Sequence, residues 1–353
     1  WSQNFRLLHF LLAKKNTKKK KTKASNMACN KTAIGVACTL LFILFFSTST
    51  LANNFTQHAA VKIFKNMRPA PAQRKFTSAA VDSAIAYISS KMKDKSLASI
   101  FENAYPNTLD TTVEHWSEND TFIVTGDIKA MWLRDSTNQI WPYMSFLPND
   151  SNLVKLMKGL ILRQARSILT DPYANAYLRE GDGLVGAMSD NTYRKSFLGS
   201  RMPAMTMKLQ ERKWEVDSLC AFLKLSAGFF KNYAVNDTSV FTTHNGLWLS
   251  AVDLVLQTFE EQQHGTSEEM ESVGFSYWFS RQTTLKSETL QDEGRYCSPA
   301  RRTGMIKTAF RPSDDSCTFS FNIAQNAMAV VYLRAIIPIL EKISAPSTLI
   351  FKA

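Results

Sequence analysis

The sequence predicts a mostly α-helical domain. Apolar residues recur at helical spacing in five separate stretches, which is the pattern of helices that bury one face. No regular alternation of strands and helices runs through the chain, so a parallel βαβ sheet is not expected. The polar motifs fall in the connections between the helical stretches, where rigid scaffolds usually present their functional side chains.

The first predicted helix follows Ser78 and has apolar positions at Val81, Ala84, Ile85 and Ile88. Ser151 is predicted to cap the second, because serine oxygens accept from the free N–H groups of a first helical turn. The other predicted elements are three helices, over residues 214–233, 247–262 and 326–343, and two short strands, over residues 121–125 and 316–321.

The charge of the chain does not indicate a nucleic-acid partner. The 353 residues carry a formal net charge of +12, with 45% hydrophobic and 20% charged residues. Residues 1–31 contain nine Lys or Arg and no acidic residue, and removing those nine charges leaves +3 for the rest of the chain. A nearly neutral globular part gives no electrostatic reason to bind a polyanion.

Residues 1–52 are interpreted as a leader. Met27 begins a pattern of a basic residue, an apolar run over residues 33–46 and a polar end at Ala52, which predicts a secretory signal peptide cleaved after Ala52. Residues 1–26 would then be untranslated. The apolar run, about 14 residues long, is short for a membrane span, which needs roughly 20.

The alternative is that the basic residues stay in the cytoplasm and residues 27–52 act as a type II signal anchor. The first interpretation predicts a protein of the secretory pathway or the extracellular space, and the second a type II membrane protein of the Golgi. Residues 53–75 are expected to form an irregular mature N-terminus. Four Asn-X-Ser/Thr triplets favour the secretory route, at Asn54, Asn119, Asn149 and Asn236.

The sequence predicts neither a metal nor a cofactor. Beyond the leader, three cysteines remain, at Cys220, Cys297 and Cys317, which allow at most one disulfide and fit no zinc spacing. The histidines do not pair at metal-ligand spacing. There is no glycine-rich phosphate loop and no Gly-X-Ser-X-Gly motif, so nucleotide and esterase chemistry are not expected.

The densest polar stretch runs from Thr125 to Ser136. Its candidate binding residues are Asp127, Trp132, Arg134 and Asp135. A pyranose presents vicinal hydroxyls to forked acceptors and donors and an apolar C–H face to an indole, so these residue types suit a sugar. The alternative is structural, because an Arg–Asp contact and a core tryptophan are common in proteins.

Two later stretches have a similar composition. Trp214, Glu215 and Asp217 lie near a predicted helix start, where acids also favour the helix dipole. If the helix has already begun there, Glu215 and Asp217 cannot share a face, and at most one enters a pocket. Residues 311–315, Arg-Pro-Ser-Asp-Asp, could equally be a turn or a helix cap. We predict that the three stretches meet in one pocket that holds a sugar.

Taken together, these stretches resemble glycoside hydrolase family 125, the exo-acting α-1,6-mannosidases. The matching segments lie in family order between about residues 97 and 345, at residues 101–112, 121–143, 171–176, 211–220 and 304–326. The resemblance implies an (α/α)6 barrel, or toroid, over residues 76–353. It also implies removal of terminal α-1,6-linked mannose from a glycan, with inversion and without a metal. We further expect a monomer that needs no cofactor.

The resemblance also suggests roles for the site residues. Inversion requires two carboxyl groups about 6.5–9.5 Å apart, one acting as acid and one as base. The family's acid falls in the segment matched by Asp314 and Asp315; the choice between them is open, and Asp217 is the next candidate. The substrate-binding set would consist of Asp127, Trp132, Arg134, Asp135, Trp214, Glu215, Asp217 and Arg311.

The family's base is a glutamate in a His-Glu-Ser-Phe-like motif, which the 353 residues do not contain. On this ground the barrel is expected to be incomplete at its C-terminus, as a fragment or a decayed gene, with little hydrolysis by the 353-residue chain. Two other functions stay open: a non-catalytic mannose-binding protein of the same fold, and a helical scaffold anchored in a membrane through the basic leader.

Overall fold

The computed structural model describes residues 63–179, 190–191, 206, 208–272, 276–290 and 298–353, so the predicted leader lies outside the described residues. The α-helices within these ranges are α1 (Ala79–Lys91), α2 (Lys95–Ala104), α3 (Leu133–Ile140), α4 (Ser151–Thr170), α5 (Val216–Phe229), α6 (Ser239–Thr242), α7 (Leu247–Glu261), α8 (Thr266–Ser272), α9 (Ile323–Lys342) and α10 (Ser347–Lys352). The strands are β1 (Val113–Trp116), β2 (Thr121–Ile123), β3 (Met131–Trp132), β4 (Ala176–Tyr177), β5 (Asp190–Asn191), β6 (Leu209–Glu211) and β7 (Ser280–Arg281). Short 3-10 or π turns lie at Pro71–Gln73, Thr108–Thr112, Trp141–Asn149, Phe230–Ala234, His244–Gly246 and Lys286–Glu288.

Polar caps begin the predicted helices close to where the sequence places them. Ser78 caps α1 by accepting from the N–H of Val81. Asp150, and not Ser151, caps α4, because its carboxylate accepts from the first free N–H groups of the helix. The Ser78 hydroxyl also donates to the Asp150 carboxylate, so the two helix starts are tied together.

Helix α5 lies at the centre of the described fold. Twelve of its fourteen residues are buried. It packs against α3, α4 and α9, and α4 packs in turn against α7. This helix begins at Val216 and ends at Phe229, inside the predicted range, and the π turn at Phe230–Ala234 covers the remainder. A core helix of this kind is stabilised by burial of large apolar side chains, each contributing roughly 1.5–3 kcal/mol.

The later helices agree with the predicted ones to within a few residues, since α7 starts at Leu247 and α9 at Ile323. Helix α9 is long and apolar enough to cross a membrane by length and composition, a criterion that core helices also meet. Part of α9 is buried where it packs on α5, including the polar residue Gln325.

The strands form small antiparallel sheets. β1 pairs with β2, which confirms the strand predicted near residue 121. β3, β4 and β6 form a three-stranded sheet in that order, with Trp132 opposite Ala176 and Ala176 opposite Glu211. The strand predicted over residues 316–321 is wrong, because the backbone there bonds to several different loops and only Ser316 forms a bridge, with Phe310.

Candidate functional site

A small sheet and one loop bring the three polar stretches together. β3 leads directly into α3 and supplies Arg134, while β6 leads through residues 212–215 into α5 and supplies Glu215 and Asp217. Strand β4 lies between β3 and β6 and is antiparallel to both, so the two stretches leave the sheet at the same edge, one strand apart. The third stretch, residues 311–315, lies next to the second because the N–H groups of Ala309 and Phe310 both donate to the carbonyl of Trp214.

Arg134 is the hub of this site. Its Nη1 lies 2.6 Å from Glu215 Oε2 and 3.3 Å from Asp217 Oδ2. Its Nη2 lies 2.8 Å from Asp314 Oδ1, and its Nε lies 3.6 Å from Asp135 Oδ2. We call these five residues the Arg134 cluster. The prediction that the three stretches meet is therefore confirmed.

Glu215 and Asp217 both enter the cluster although they are two residues apart. Glu215 is the N-cap of α5 with extended backbone angles, φ −134° and ψ 122°, and the helix begins only at Val216. The rule that residues two apart cannot share a helix face therefore does not apply to this pair. Both side chains are almost completely buried, so the carboxylates depend on Arg134 for their compensation.

A second layer of side chains holds these carboxylates in place. Ser218 Oγ donates to Glu215 Oε2 over 3.0 Å. The amide of Gln325, in the first turns of α9, donates to Asp217 and also to the carbonyl of Phe310. Gln325 thus ties α9 and the loop after Phe310 to the cluster.

The cluster contains four carboxyl groups and one cation, and this excess of acidic groups shifts the pKa values of its members. Burial raises the pKa of Glu215 well above its usual range; Arg134 lowers it, and the nearby Asp217 and Asp314 raise it further. Burial likewise raises the pKa of Asp217 and of Asp135, against the lowering effect of Arg134. For Arg134, burial lowers the pKa, but Glu215, Asp217 and Asp314 outweigh it, so the arginine stays charged.

Asp314 and Asp315 have different surroundings despite being adjacent. Asp314 points to Arg134 and adopts the left-handed conformation with φ 63°, which is unusual for a residue with a side chain. Asp315 accepts from Ser313 Oγ over 2.8 Å and pairs with the exposed Arg311 at 3.2 Å. The Ser313 hydrogen bond, helped by Arg311, lowers the pKa of Asp315 below its usual value.

The turn that carries these two acids has a simple construction. The N–H of Asp314 donates to the carbonyl of Arg311, and the N–H of Arg311 donates to the carbonyl of Asp315. Pro312, at the second position, favours such a turn because its φ is fixed. A left-handed residue after a turn is common in hairpin loops, but glycine usually occupies it. An aspartate there accepts backbone strain in order to place a carboxylate.

The two tryptophans of the polar stretches differ in environment. Trp132 is 7% exposed and belongs to a small apolar cluster separate from the main core, formed with Ala130, Ala176 and Leu178. Its indole N–H is buried and donates to no acceptor among the described residues. A buried donor without an acceptor is costly, so Trp132 has a hydrogen bond to offer to a substrate or to water.

Trp214 lies in the main core. It is 1% exposed, donates its indole N–H to the carbonyl of Lys307 over 2.8 Å, and packs edge-on against Tyr173. These contacts give Trp214 a packing role in the core, and its predicted contact with a sugar stays a prediction. The carbonyl of Trp214 still anchors the loop that carries Asp314.

Two further predicted residues do not contact Arg134. Asp127 is exposed in the connection before β3, and no described residue forms a hydrogen bond or ion pair with it. Arg311 is also exposed and is engaged with Asp315. Their predicted substrate contacts stay predictions. Within the described ranges, no group of three or more His, Cys, Asp or Glu residues is arranged to hold a metal ion.

A match to a family model shows which protein family the chain belongs to. The model of the metal-independent alpha-mannosidases, glycoside hydrolase family 125, matches residues 94–352. The chain belongs to glycoside hydrolase family 125. Every residue of the Arg134 cluster lies within the matched range, so the resemblance read from the motifs is confirmed.

Two relatives show how far the family 125 likeness extends. The Meiotically up-regulated gene 157 protein of fission yeast, Schizosaccharomyces pombe, is 37% identical over 273 residues, which is 75% of this chain and 52% of that protein. A Streptococcus pneumoniae metal-independent α-mannosidase, solved as a non-productive complex with α-1,6-mannobiose, is 32% identical with a TM-score of 0.66. That likeness covers 79% of this chain and 60% of the bacterial one.

The bacterial family 125 structure confirms the predicted fold class, a mostly helical α/α toroid. The chain spans about half the length of the yeast relative and three fifths of the bacterial one. The activity of the whole protein is therefore treated as a proposal.

Sequence reasoning missed two residues that hold the site together, Gln325 and Lys213. Gln325 is a polar residue at a buried position of an apolar helix, which is the signal that could have found it. Lys213 is a fully buried lysine directly before Trp214. No pattern of apolar spacing distinguishes it from a surface lysine.

Proposed function

We propose that the full-length protein is an inverting exo-α-1,6-mannosidase and that the Arg134 cluster forms part of its active site. The observation that carries the proposal is that one guanidinium holds carboxylates from two segments that lie 81 to 180 residues further along the chain. The S. pneumoniae relative, bound to α-1,6-mannobiose, suggests the substrate class.

The cluster suits a terminal sugar ring. Carboxylate oxygens accept from sugar hydroxyls, and an arginine donates in a fixed fork, so neighbouring hydroxyls can be bound by both. The indole N–H of Trp132, at the end of strand β3 that leads to Arg134, has no acceptor among the described residues and is a donor for a sugar hydroxyl.

Asp314 is the residue we assign as the general acid. A general acid must lie in the active site, and Asp314 belongs to the cluster through its 2.8 Å contact with Arg134. It must also reach the substrate, and the Asp314 side chain is 36% exposed whereas Glu215 is 0% exposed. Asp315 does not suit the role, because the Ser313 hydrogen bond lowers its pKa.

In the proposed reaction, Asp314 gives its proton to the oxygen that leaves from the terminal mannose. Inversion needs a second carboxyl group that deprotonates water on the opposite face of the ring. The resemblance assigns that base to a His-Glu-Ser-Phe-like motif, so the tests use the full-length gene product.

The deciding experiment follows α-1,6-mannobiose and full-length protein by proton NMR. Release of mannose that is initially the β-anomer supports the proposal. Initial release of the α-anomer would contradict inversion. Saturable binding without any release would favour the alternative of a non-catalytic mannose-binding protein.

The cellular route belongs to the same proposal. We place the protein in the secretory pathway, with residues 27–52 as a cleaved signal peptide. Asn119, Asn149 and Asn236 are all exposed in loops or turns, which is where glycans are accommodated. N-terminal sequencing beginning at Asn53 would support cleavage, whereas a mature protein that keeps the apolar run would support the signal anchor.

Glycosylation can be tested separately at these three asparagines. An increase in mobility after endoglycosidase treatment that becomes smaller in a variant with all three changed to glutamine supports their use. A protein from the same cells that does not change mobility would contradict it.

A further inference from the structure

Lys213 is a fully buried lysine next to the acid loop, which we define as residues 311–315. It lies in the connection between β6 and α5 and is 2% exposed. Its Nζ lies 3.1 Å from Glu288 Oε2 and 3.4 Å from Glu211 Oε1. The third contact is the carbonyl oxygen of Asp314, at 2.7 Å. A lysine ammonium has three N–H donors, so each of them has an acceptor here.

The two glutamates are fixed independently of Lys213. Arg281 Nη1 lies 2.8 Å from Glu288 Oε2, and Arg281 Nη2 lies 2.7 Å from Glu211 Oε1. Two cations and two anions therefore form a neutral square, which makes the burial of Lys213 tolerable. Asn175 adds a further tie, since its amide donates to Glu211 over 2.7 Å and its oxygen accepts from the N–H of Lys213.

The square also contacts the acid loop through the backbone. The N–H of Ser316, directly after the loop, donates to the carbonyl of Ser287, the neighbour of Glu288. The Lys213 side chain lies 5.3 Å from the centre of the Phe310 ring, at the other end of the loop. Both ends of the acid loop and its left-handed residue Asp314 are thus in contact with Lys213 or with the segment that carries Glu288.

We propose that Lys213 is a positioning residue for the acid: it holds the carbonyl of Asp314, so that this residue stays in its left-handed conformation and its carboxyl group faces the cluster. The proposal rests on the assignment of Asp314 as the general acid. The carbonyl carbon and Cβ are bonded to the same Cα, so holding the carbonyl of this left-handed residue restricts the direction of its Cα–Cβ bond, and the contact with Arg134 then places the carboxyl group. The adjoining Trp214 accepts from the N–H of Phe310, directly before the acid loop, and Glu215 contacts Arg134, so one segment contacts both the base of the acid loop and the cluster.

A leaving-group comparison separates positioning of the acid from a general structural role. α-1,6-Mannobiose loses a sugar alcohol that must be protonated, whereas α-mannosyl fluoride loses fluoride, which leaves without a full proton transfer. The substitution Lys213→Met, in the full-length protein, removes the hydrogen bond and keeps the apolar stem. We expect kcat on mannobiose to fall about ten- to a hundred-fold, as expected for a misplaced catalytic group, and kcat on the fluoride to change less than about three-fold.

Two other variants complete the comparison. Lys307→Met removes another buried lysine, paired with Glu269 at 2.8 Å, and leaves the contacts of Lys213 in place. It should affect both substrates equally. Glu288→Gln keeps Lys213 and weakens the square, so it should reproduce the selective loss on mannobiose to a smaller extent even if Lys213→Met does not fold.

Asp314→Asn separates the two proposals. In one outcome, Asp314→Asn lowers kcat on mannobiose far more than kcat on the fluoride while Lys213→Met and Glu288→Gln slow both substrates equally. That result overturns the positioning role of Lys213 and leaves the acid assignment in place. If Asp314→Asn slows both substrates equally, the acid assignment fails and the role of Lys213 fails with it. Selective loss in all three variants supports both.

Discussion

The guanidinium of Arg134 lies 2.8 Å from the carboxylate of Asp314, a residue 180 positions later in the chain. The same guanidinium contacts Glu215 and Asp217, and both of those side chains are almost completely buried. One arginine therefore holds the three polar stretches of the sequence in a single cluster, and the stability of the fold depends on it.

Removal of Arg134 is expected to be costly. Arg134→Gln leaves Glu215 and Asp217 buried without their cation, and loss of one partner from a buried ion pair typically costs about 3–5 kcal/mol. Chemical denaturation near neutral pH measures this loss. It should shrink towards about pH 5, because protonation relieves the buried carboxylates.

Arg311→Gln is the matched control for that variant. Arg311 is exposed and pairs with Asp315, and pairs of this kind contribute about 0–1 kcal/mol. Equal destabilisation by the two substitutions would contradict the central place given to Arg134.

Glu215 gives the fold a specific dependence on pH. Burial raises its pKa well above the usual range in the folded state. Below the pKa of the unfolded chain the group is neutral in both states; as pH rises, only the unfolded state loses the proton, so the free energy of unfolding falls. Glu215→Gln removes that contribution, and the stability of the variant relative to the wild type should increase from about pH 5 to about pH 8.

Asp315→Asn should show the opposite sign and a smaller change. The Ser313 hydrogen bond lowers the pKa of Asp315, so its stabilisation is present at neutral pH and is lost as the pH falls. Its partial exposure keeps the effect small. Parallel pH profiles for the two variants would contradict the electrostatic account of the cluster.

Substitutions of Trp132 and Trp214 should have different effects on substrate binding and on stability. Trp132→Phe removes an N–H that has no acceptor among the described residues, so we expect little loss of stability. If that N–H binds substrate, KM should rise about five- to ten-fold, the value of one net hydrogen bond.

Trp214→Phe should do the reverse. It removes a hydrogen bond to Lys307 and part of a core ring, so a loss of about 1–3 kcal/mol is expected, with KM nearly unchanged. Denaturation and steady-state kinetics on both variants provide the test. A raised KM only in the Trp214 variant would reverse the two assignments.

Helices and motif identities could be predicted from the sequence because they depend on local patterns. The helix after Ser78 follows from its capping serine and apolar spacing, and the helix over residues 247–262 from apolar spacing; the structure confirms both. The failure at residues 316–321 is instructive. An apparent strand pattern there forms only one bridge, because the backbone bonds needed for a ladder go to separate loops.

The partners within the site could not be predicted, because they depend on distant contacts. Sequence adjacency suggested that Arg134 pairs with Asp135, but its shortest contact is with Glu215, at 2.6 Å. The choice between Asp314 and Asp315 likewise depends on one left-handed backbone angle, which no spacing rule reveals. Lys213 could be recognised only after its three acceptors were located.

The most direct test of the account compares Asp314→Asn with Asp315→Asn in the full-length protein, using kcat/KM on α-1,6-mannobiose. If Asp314 is the acid presented by the cluster, its variant should lose about 10²- to 10⁴-fold, the usual contribution of a general acid. The Asp315 variant should stay within about three-fold of the wild type, since its carboxylate is turned towards Ser313 and Arg311. A larger loss for Asp315→Asn than for Asp314→Asn, or no loss in either, would contradict the account.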